Sequence, residues 1–336
     1  MAAPEEPIAV LGAGSWGTAL AILLAGNGIE TRLWGRDPAQ MAEMDRARCN
    51  RRYLPDSPFP DPLRPTADMA AALDGVNELL MVVPSGGFRD VLSQAAGHLR
   101  PGARIALATK GLEHGSRKFL HEVVGEVLEV PTATAVISGP TFAKEVAAGL
   151  PTAVTVASAD LTFAEHLANR LHNDRFRAYT ASDIVGVEFG GAVKNVLAIG
   201  AGIADGLGFG ANSRAALITR GLAEIKRMGV DLGGAPETFM GLAGLGDLVL
   251  TCTDNQSRNR RLGLAVGEGR SVDEALAAIG QVAEGLYAAQ EVHLLAEERG
   301  VEMPITEQVY SVLYQGRDPR QAVHALLTRA LKPETA

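Results

Sequence analysis

Ile8-Ala9-Val10-Leu11-Gly12-Ala13-Gly14-Ser15-Trp16-Gly17-Thr18-Ala19-Leu20-Ala21-Ile22-Leu23-Leu24-Ala25 is the stretch that decides the fold. Four apolar residues stop at a glycine and read as a buried strand. Thr18 to Ala25 reads as a buried helix, ended by Gly26-Asn27-Gly28. Between them lies G-x-G-x-x-G. Alone, that spacing also serves merely to join a strand to a helix. With a strand before it and a helix after it, it has the context of a dinucleotide fingerprint. Gly12, Gly14 and Gly17 then supply a tight turn, close backbone approach to a pyrophosphate and close helix–strand packing. The helix N-terminus beside Ser15 and Trp16 offers N–H groups and a positive dipole end to the anion.

Working outward, further apolar strands are expected at Thr31–Trp34, Leu79–Val83, Ile105–Ala108, Ala135–Ile137, Ala153–Val156 and Phe176–Tyr179. Helical stretches such as Phe88–His98 and Arg117–Leu128 lie between several of them. This alternation implies an α/β fold with a parallel sheet covered on both faces. After Ser182 the strand signals fade. Asp183 reads as an N-cap, and helices are expected from Ile184 past Ala201 and at Ala211–Met228, Asp273–Ile279, Ala283–Arg299 and Ile305–Tyr314. Two domains follow: a dinucleotide-binding unit over 1–181 and a helical unit over 182–336, with a frayed tail from Lys332.

The 336 residues suit two cores, and 47% hydrophobic with 21% charged residues excludes a disordered chain. No apolar run approaches the roughly 20 residues of a membrane span, so no integral membrane segment is expected. The start, Met1 to Glu6, lacks the features of a secretory signal. Two cysteines, Cys49 and Cys252, make neither a disulfide framework nor a zinc cluster, which fits a cytoplasmic protein without a metal. A net charge of −8 argues against a nucleic-acid surface. It leaves room for a local basic pocket.

Several residues carry chemistry. Arg36 suits a ribose 2′-phosphate and so NADP, whereas Asp37 suits a free 2′-hydroxyl and so NAD; the reading leans to NADP, with dual use open. In an open parallel sheet, ligands bind beyond the carboxyl ends of strands. Those ends carry Pro84-Ser85, Thr109-Lys110-Gly111 and Ser138-Gly139-Pro140-Thr141-Phe142-Ala143. Lys110 puts a cation where an anion would lie. Lys194 sits in an apolar, glycine-rich helix, where Gly190 and Gly191 would let a ligand reach the amine and burial would lower its pKa toward proton-transfer range. Asp247 is a lone acid in an apolar run and needs a partner, for which Lys194 is a candidate. Ser257-Arg258-Asn259 reads as a helix N-terminus with a phosphate donor. Gln281-Val282-Ala283-Glu284 reads as a helix start.

Taken together, these blocks resemble the bacterial NAD(P)-dependent glycerol-3-phosphate dehydrogenases, from Ile8 to about Leu331. The likeness rests on Gly12 to Leu20, Ala108 to Glu113, Ser138 to Val146, Gly191 to Ile199, Leu242 to Leu248 and Ser257 to Arg260. It implies a Rossmann-type, doubly wound, mostly parallel sheet followed by an all-α domain. It also implies NADP(H) or NAD(H) as cofactor, a homodimer, and reversible reduction of dihydroxyacetone phosphate to sn-glycerol 3-phosphate for phospholipid synthesis. By position, Lys194 matches the general acid–base. Lys110, Gly139, Thr141, Asp247, Ser257, Arg258 and Asn259 match substrate contacts. Ser15, Trp16, Arg36, Lys110, Ala143, Arg258, Val282 and Glu284 match cofactor contacts, and Asn195 and Thr251 line the site. Thr141 stands where serine is commoner, and Gly210-Ala211-Asn212 lacks an aspartate often found there. Two other readings stay open: a different hydroxy-acid dehydrogenase of similar architecture, and a non-catalytic NAD(P)-binding redox sensor.

Overall fold

The computed structural model describes residues 6–330 and 333; the start at Met1–Glu5 and the tail at Lys332 lie outside them. The chain begins β1 (Ile8–Leu11), α1 (Ser15–Gly26), β2 (Thr31–Trp34) and α2 (Pro38–Ala47). A small hairpin, β3 (Cys49–Asn50) and β4 (Leu54–Pro58), precedes β5 (Leu63–Thr66), α3 (Met69–Leu73) and β6 (Glu78–Met81). Then come α4 (Phe88–Ala96), β7 (Arg104–Leu107), α5 (Leu120–Leu128), β8 (Thr134–Ser138), α6 (Ala143–Ala147), β9 (Thr152–Ser158), α7 (Leu161–Leu171) and β10 (Phe176–Ala181). Helices follow: α8 (Ile184–Gly206), α9 (Ala211–Asp231), a π-helical turn over Leu242–Gly246, α10 (Asp247–Thr253) and α11 (Arg258–Gly267). The last are α12 (Val272–Ile279), α13 (Glu284–Arg299), α14 (Pro304–Tyr314) and α15 (Pro319–Leu327).

Eight strands form one sheet in the order β10-β9-β8-β7-β6-β1-β2-β5. All neighbours are parallel except β8 and β9. The parallel sheet expected from the alternation therefore reverses once. The physical reason is α6: five residues are too short to carry the chain back to the start of the sheet, so β9 returns alongside β8. Side-chain alternation puts Ile8 and Val10 into the core under α1 and α7, and Ala9 and Leu11 into the opposite core under α4 and α5. The order of strands reverses direction between β1 and β6, and that switch point sets the ligand crevice at their carboxyl ends.

One helix starts later than expected, and another is longer and more apolar than its charged residues suggest. Helix α5 starts at Leu120, three residues later than expected, because Arg117 adopts a left-handed φ of 60° and Glu122 accepts from the Phe119 N–H at 2.9 Å. Helix α8 spans 23 residues and is long and apolar enough to cross a membrane. Glu188, Lys194 and Asn195 interrupt its apolar run without ending its apolar character. Here α8 is the core of the helical half, with 89% of its most apolar window buried.

Glycine is what lets α8 be central. A Cβ on Gly202 would lie 2.1 Å from the Arg260 carbonyl oxygen, and one on Gly206 2.4 Å from that of Leu264. From the other side, Gly263 and Gly267 meet the carbonyls of Ile199 and Ile203 at 2.0 and 2.4 Å. Helices α8 and α11 thus touch backbone to backbone. Gly263→Ala is expected to cost about 2–3 kcal/mol of stability, the range for forced overpacking. Urea unfolding reads this, and an unchanged midpoint would show that the two backbones are not in contact.

Candidate active site

Asp247 opens α10 directly after the π-helical turn and is fully buried. Its Oδ1 accepts from Lys194 Nζ and its Oδ2 from Lys110 Nζ at 2.6 Å. Lys110 leaves the carboxyl end of β7 and also donates to the Gly139 carbonyl at 3.1 Å, just past β8. Thr251, one turn beyond Asp247, accepts from Lys194 Nζ at 2.9 Å and donates to the Asp247 carbonyl at 2.6 Å. Each ammonium has three donors and spends two of them here, so each keeps one N–H for a ligand. Burial lowers Lys194 to about 7; the Asp247 carboxylate works against that shift and the Lys110 charge adds to it.

The glycines around Lys194 admit protein. A Cβ on Gly190 would sit 2.8 Å from the Ala243 carbonyl oxygen, and one on Gly191 2.7 Å from Ser138 Oγ. Their absent side chains bring the π-helical turn and the end of β8 against α8, and with them Asp247 and Lys110. This corrects the expectation that these glycines open a way to the amine.

A second chain of hydrogen bonds starts one residue on. Asn195 Oδ1 accepts from Asn259 Nδ2 at 2.8 Å, and Asn259 Oδ1 accepts from the Gly285 N–H at 2.9 Å. Ser257 is the N-cap of α11, its Oγ accepting from Arg260 N at 3.2 Å. Arg258 follows, donating to Gln281 Oε1 at 3.1 Å, and burial lowers its pKa below the usual guanidinium value. Thr141 Oγ1 donates to the Gly139 carbonyl at 3.1 Å.

The glycine turn divides its labour as anticipated. Gly12 has φ +124°, and a Cβ there would lie 2.6 Å from the Val82 carbonyl oxygen. Gly17 would meet the Gly12 carbonyl at 1.9 Å, whereas nothing lies within 4 Å of a Cβ on Gly14. That open side, an α1 N-terminus with no side-chain cap, and a buried Trp16 Nε1 without a partner together fit a pyrophosphate-bearing ligand. Arg36 is exposed at the end of β2. Asp37 instead caps α2, accepting from Ala39 N at 3.0 Å and Gln40 N at 3.3 Å. One oxygen of its carboxylate, Oδ1, is thereby engaged by the backbone. Ala143 opens α6 against α1, and Val282 is exposed just before α13.

Asn50 and His114 gave no signal in the sequence, and neither did the pairing of Ser85 with Glu284. Asn50 donates to Thr18 Oγ1 at 2.8 Å and to the Ala13 carbonyl at 3.2 Å, pinning the glycine turn from the hairpin. Ser85 donates to Glu284 Oε2 at 2.7 Å and lies 3.3 Å from His114 Nε2. Pro84-Ser85 stood out as a strand end, but no local signal names its partner in α13. Among the described residues no cluster of His, Cys, Asp and Glu is placed to hold a metal ion.

The family models described as the N-terminus and the C-terminus of NAD-dependent glycerol-3-phosphate dehydrogenase match residues 7–164 and 183–324. The chain belongs to this family. It is 60% identical to the glycerol-3-phosphate dehydrogenase [NAD(P)+] of Aeromonas salmonicida, over 99% of this chain and all of that protein. The protein of the same name from Thioalkalivibrio sulfidiphilus is 60% identical over 98% of this chain and 99% of its own. Among solved structures, the glycerol-3-phosphate dehydrogenase of Coxiella burnetii superposes with a TM-score of 0.94 at 53% identity, covering 97% of this chain and 100% of that one.

The lowered Lys194 value means that charging this lysine costs stability, in full below about pH 7 and less as pH rises toward 10.5. Asp247→Asn removes the carboxylate between two ammonium groups. It is expected to cost about 3 kcal/mol at low pH, and less in mild alkali, where Lys194 is neutral. Thermal unfolding across pH measures this, and a pH-independent loss would contradict the assigned pairing.

Proposed function

We propose that the chain catalyses the reversible, NAD(P)H-dependent reduction of dihydroxyacetone phosphate to sn-glycerol 3-phosphate and so supplies glycerophospholipid synthesis. The observation that carries this reading is the buried Lys194–Asp247–Lys110 cluster, set between a dinucleotide turn and the N-terminus of α11. Family membership supports the reaction, and the buried cluster supports its location beside Lys194.

The bound cofactor supplies the hydride; the protein supplies positioning and protons. As the substrate carbonyl becomes an alkoxide, the N–H that Lys194 has left over points a proton at the oxygen, a role worth about 10²–10⁴-fold in rate. In the reverse direction the neutral amine takes the proton back, and a value near 7 suits both. Asp247 and Thr251 hold Lys194 in place. Lys110 sits with its ammonium against the same carboxylate and meets the substrate's polar end. Arg258, Asn259 and the backbone N–H groups after Ser257 grip the phosphate, so binding energy remote from the reacting carbon orients it. Gly139 and Thr141 line the floor. Ser15, Trp16, Arg36, Ala143, Val282 and Glu284 hold the cofactor, with Arg36 at the 2′-phosphate of NADP(H). The same reading carries a homodimer in the cytoplasm. Two free thiols support the cytoplasmic setting.

Loss of NADPH or NADH absorbance on adding dihydroxyacetone phosphate tests the reaction directly; no oxidation by protein that binds the cofactor would overturn it. Lys194→Ala is expected to abolish turnover to background while NADPH binding persists. Near-normal turnover would remove Lys194 from the chemistry. Arg258→Ala is expected to raise the substrate KM by about tenfold or more, as for a lost charged phosphate contact. Unchanged substrate kinetics would take Arg258 out of the phosphate site.

A further inference from the structure

Glu284 is placed where the two ends of the crevice can be told apart. The strand order β7-β6-β1-β2 puts Arg36, after β2, on one side of the glycine turn. Lys110, after β7, and Ser85, after β6, lie on the other. Glu284 belongs to the Lys110 side: a Cβ on Gly111 would lie 3.6 Å from its Oε2. Its chain neighbour Gly285 packs on Asn195, where a Cβ would meet the Asn195 carbonyl oxygen at 2.7 Å. The carboxyl group therefore stands at the end of the crevice that holds Lys194. A hydride donor must lie at that end to reach the carbon beside the lysine.

The carboxyl group is also held. Ser85 Oγ donates to Glu284 Oε2 at 2.7 Å and the Ser85 backbone N–H donates as well. His114 Nε2 lies 3.3 Å from the same hydroxyl, with its ring 4.4 Å from that of Tyr287, one turn along α13. Gly86 makes room for that imidazole, since a Cβ there would come within 2.9 Å of it. None of this is needed for the proton transfer or the phosphate grip.

We propose that Glu284, fixed by Ser85 and His114, distinguishes the redox states of the cofactor by charge, favouring the oxidised nicotinamide, whose ring is cationic, over the neutral reduced ring. The inference rests on the dehydrogenase reading above and deepens it. Ser85 and His114 act as positioning residues through Glu284. The titratable and charged groups facing Glu284 are His114 from the loop after β7 and Arg258 from α11, with Tyr287 adjoining it on α13; the Lys110 ammonium is turned to Asp247. Burial raises the Glu284 pKa above the ordinary carboxylate range, against the Ser85 hydrogen bonds, His114 and Arg258. As pH falls, Glu284 loses its negative charge, which disfavours a cationic ring, so the preference for the oxidised form grows as pH rises.

The test is a pair of binding curves on the full chain: NADPH by its fluorescence, and NADP⁺ by displacement of NADPH, at about pH 6 and about pH 8.5. For Glu284→Gln at the higher pH, NADP⁺ affinity is expected to fall about fivefold relative to NADPH. The pH dependence of the ratio is expected to flatten. Ser85→Ala moves the ratio the same way without touching the carboxylate, and Ser85→Thr restores it. Equal weakening of both redox forms, or an unmoved ratio, overturns the charge discrimination and leaves the dehydrogenase reading intact. Failure of the wild-type chain to bind either form overturns both.

Discussion

A fully buried carboxyl group, Asp247, is shared by two ammonium groups from the two halves of the chain: Lys110 from the end of a strand and Lys194 from the middle of α8. Neither half satisfies this carboxyl group alone. With either lysine withdrawn, the group loses one of its two ammonium partners in a place water does not reach, which is costly. Closing the crevice and assembling the cluster are thus one event. The order of elements around it follows: β7 and β8 must end beside α8, and the π-helical turn must press on it to aim α10.

That closeness is achieved by leaving side chains out. Gly190 and Gly191 let the Asp247 turn and the β8 end reach α8, while Gly202 and Gly206 let α11 reach it farther along. The lysine and the Ser257–Asn259 cradle therefore belong to helices in direct backbone contact. Little flexible material lies between Lys194 and Ser257–Asn259, the proposed proton donor and phosphate grip. This rigidity suits a small substrate gripped at one end and reacting at the other.

Much of this was legible in the sequence because it is local. The glycine turn, the apolar strands and the Asp183 cap are each written in a few adjacent residues. Asp247 announced its need for a cation by standing alone among apolar neighbours, and Lys194 was the right candidate; that Lys110 shares it depends on where β7 ends. Strand β5 stayed hidden because Leu63-Arg64-Pro65-Thr66 is an edge strand without an apolar run. The β8–β9 reversal was hidden because it depends on the shortness of α6. That Asp37 caps α2 was not read from the sequence, because an N-cap and a ribose acceptor are the same chemical group in nearly the same place. The Ser85–Glu284 pair spans 199 positions, and no spacing rule connects residues so far apart.

Helix α8 carries one more implication, for synthesis. It is the most membrane-like segment among the described helices, and it leaves the ribosome well before the partners that cover it, since α11 and α13 are encoded far downstream. Until they emerge, α8 has the finished sheet and then α9 and α10 to lean on, while the faces meant for α11 and α13 stay uncovered. The nascent chain therefore passes through an interval in which its future core is its most adhesive surface, and a stall before α11 is translated would leave that surface bare.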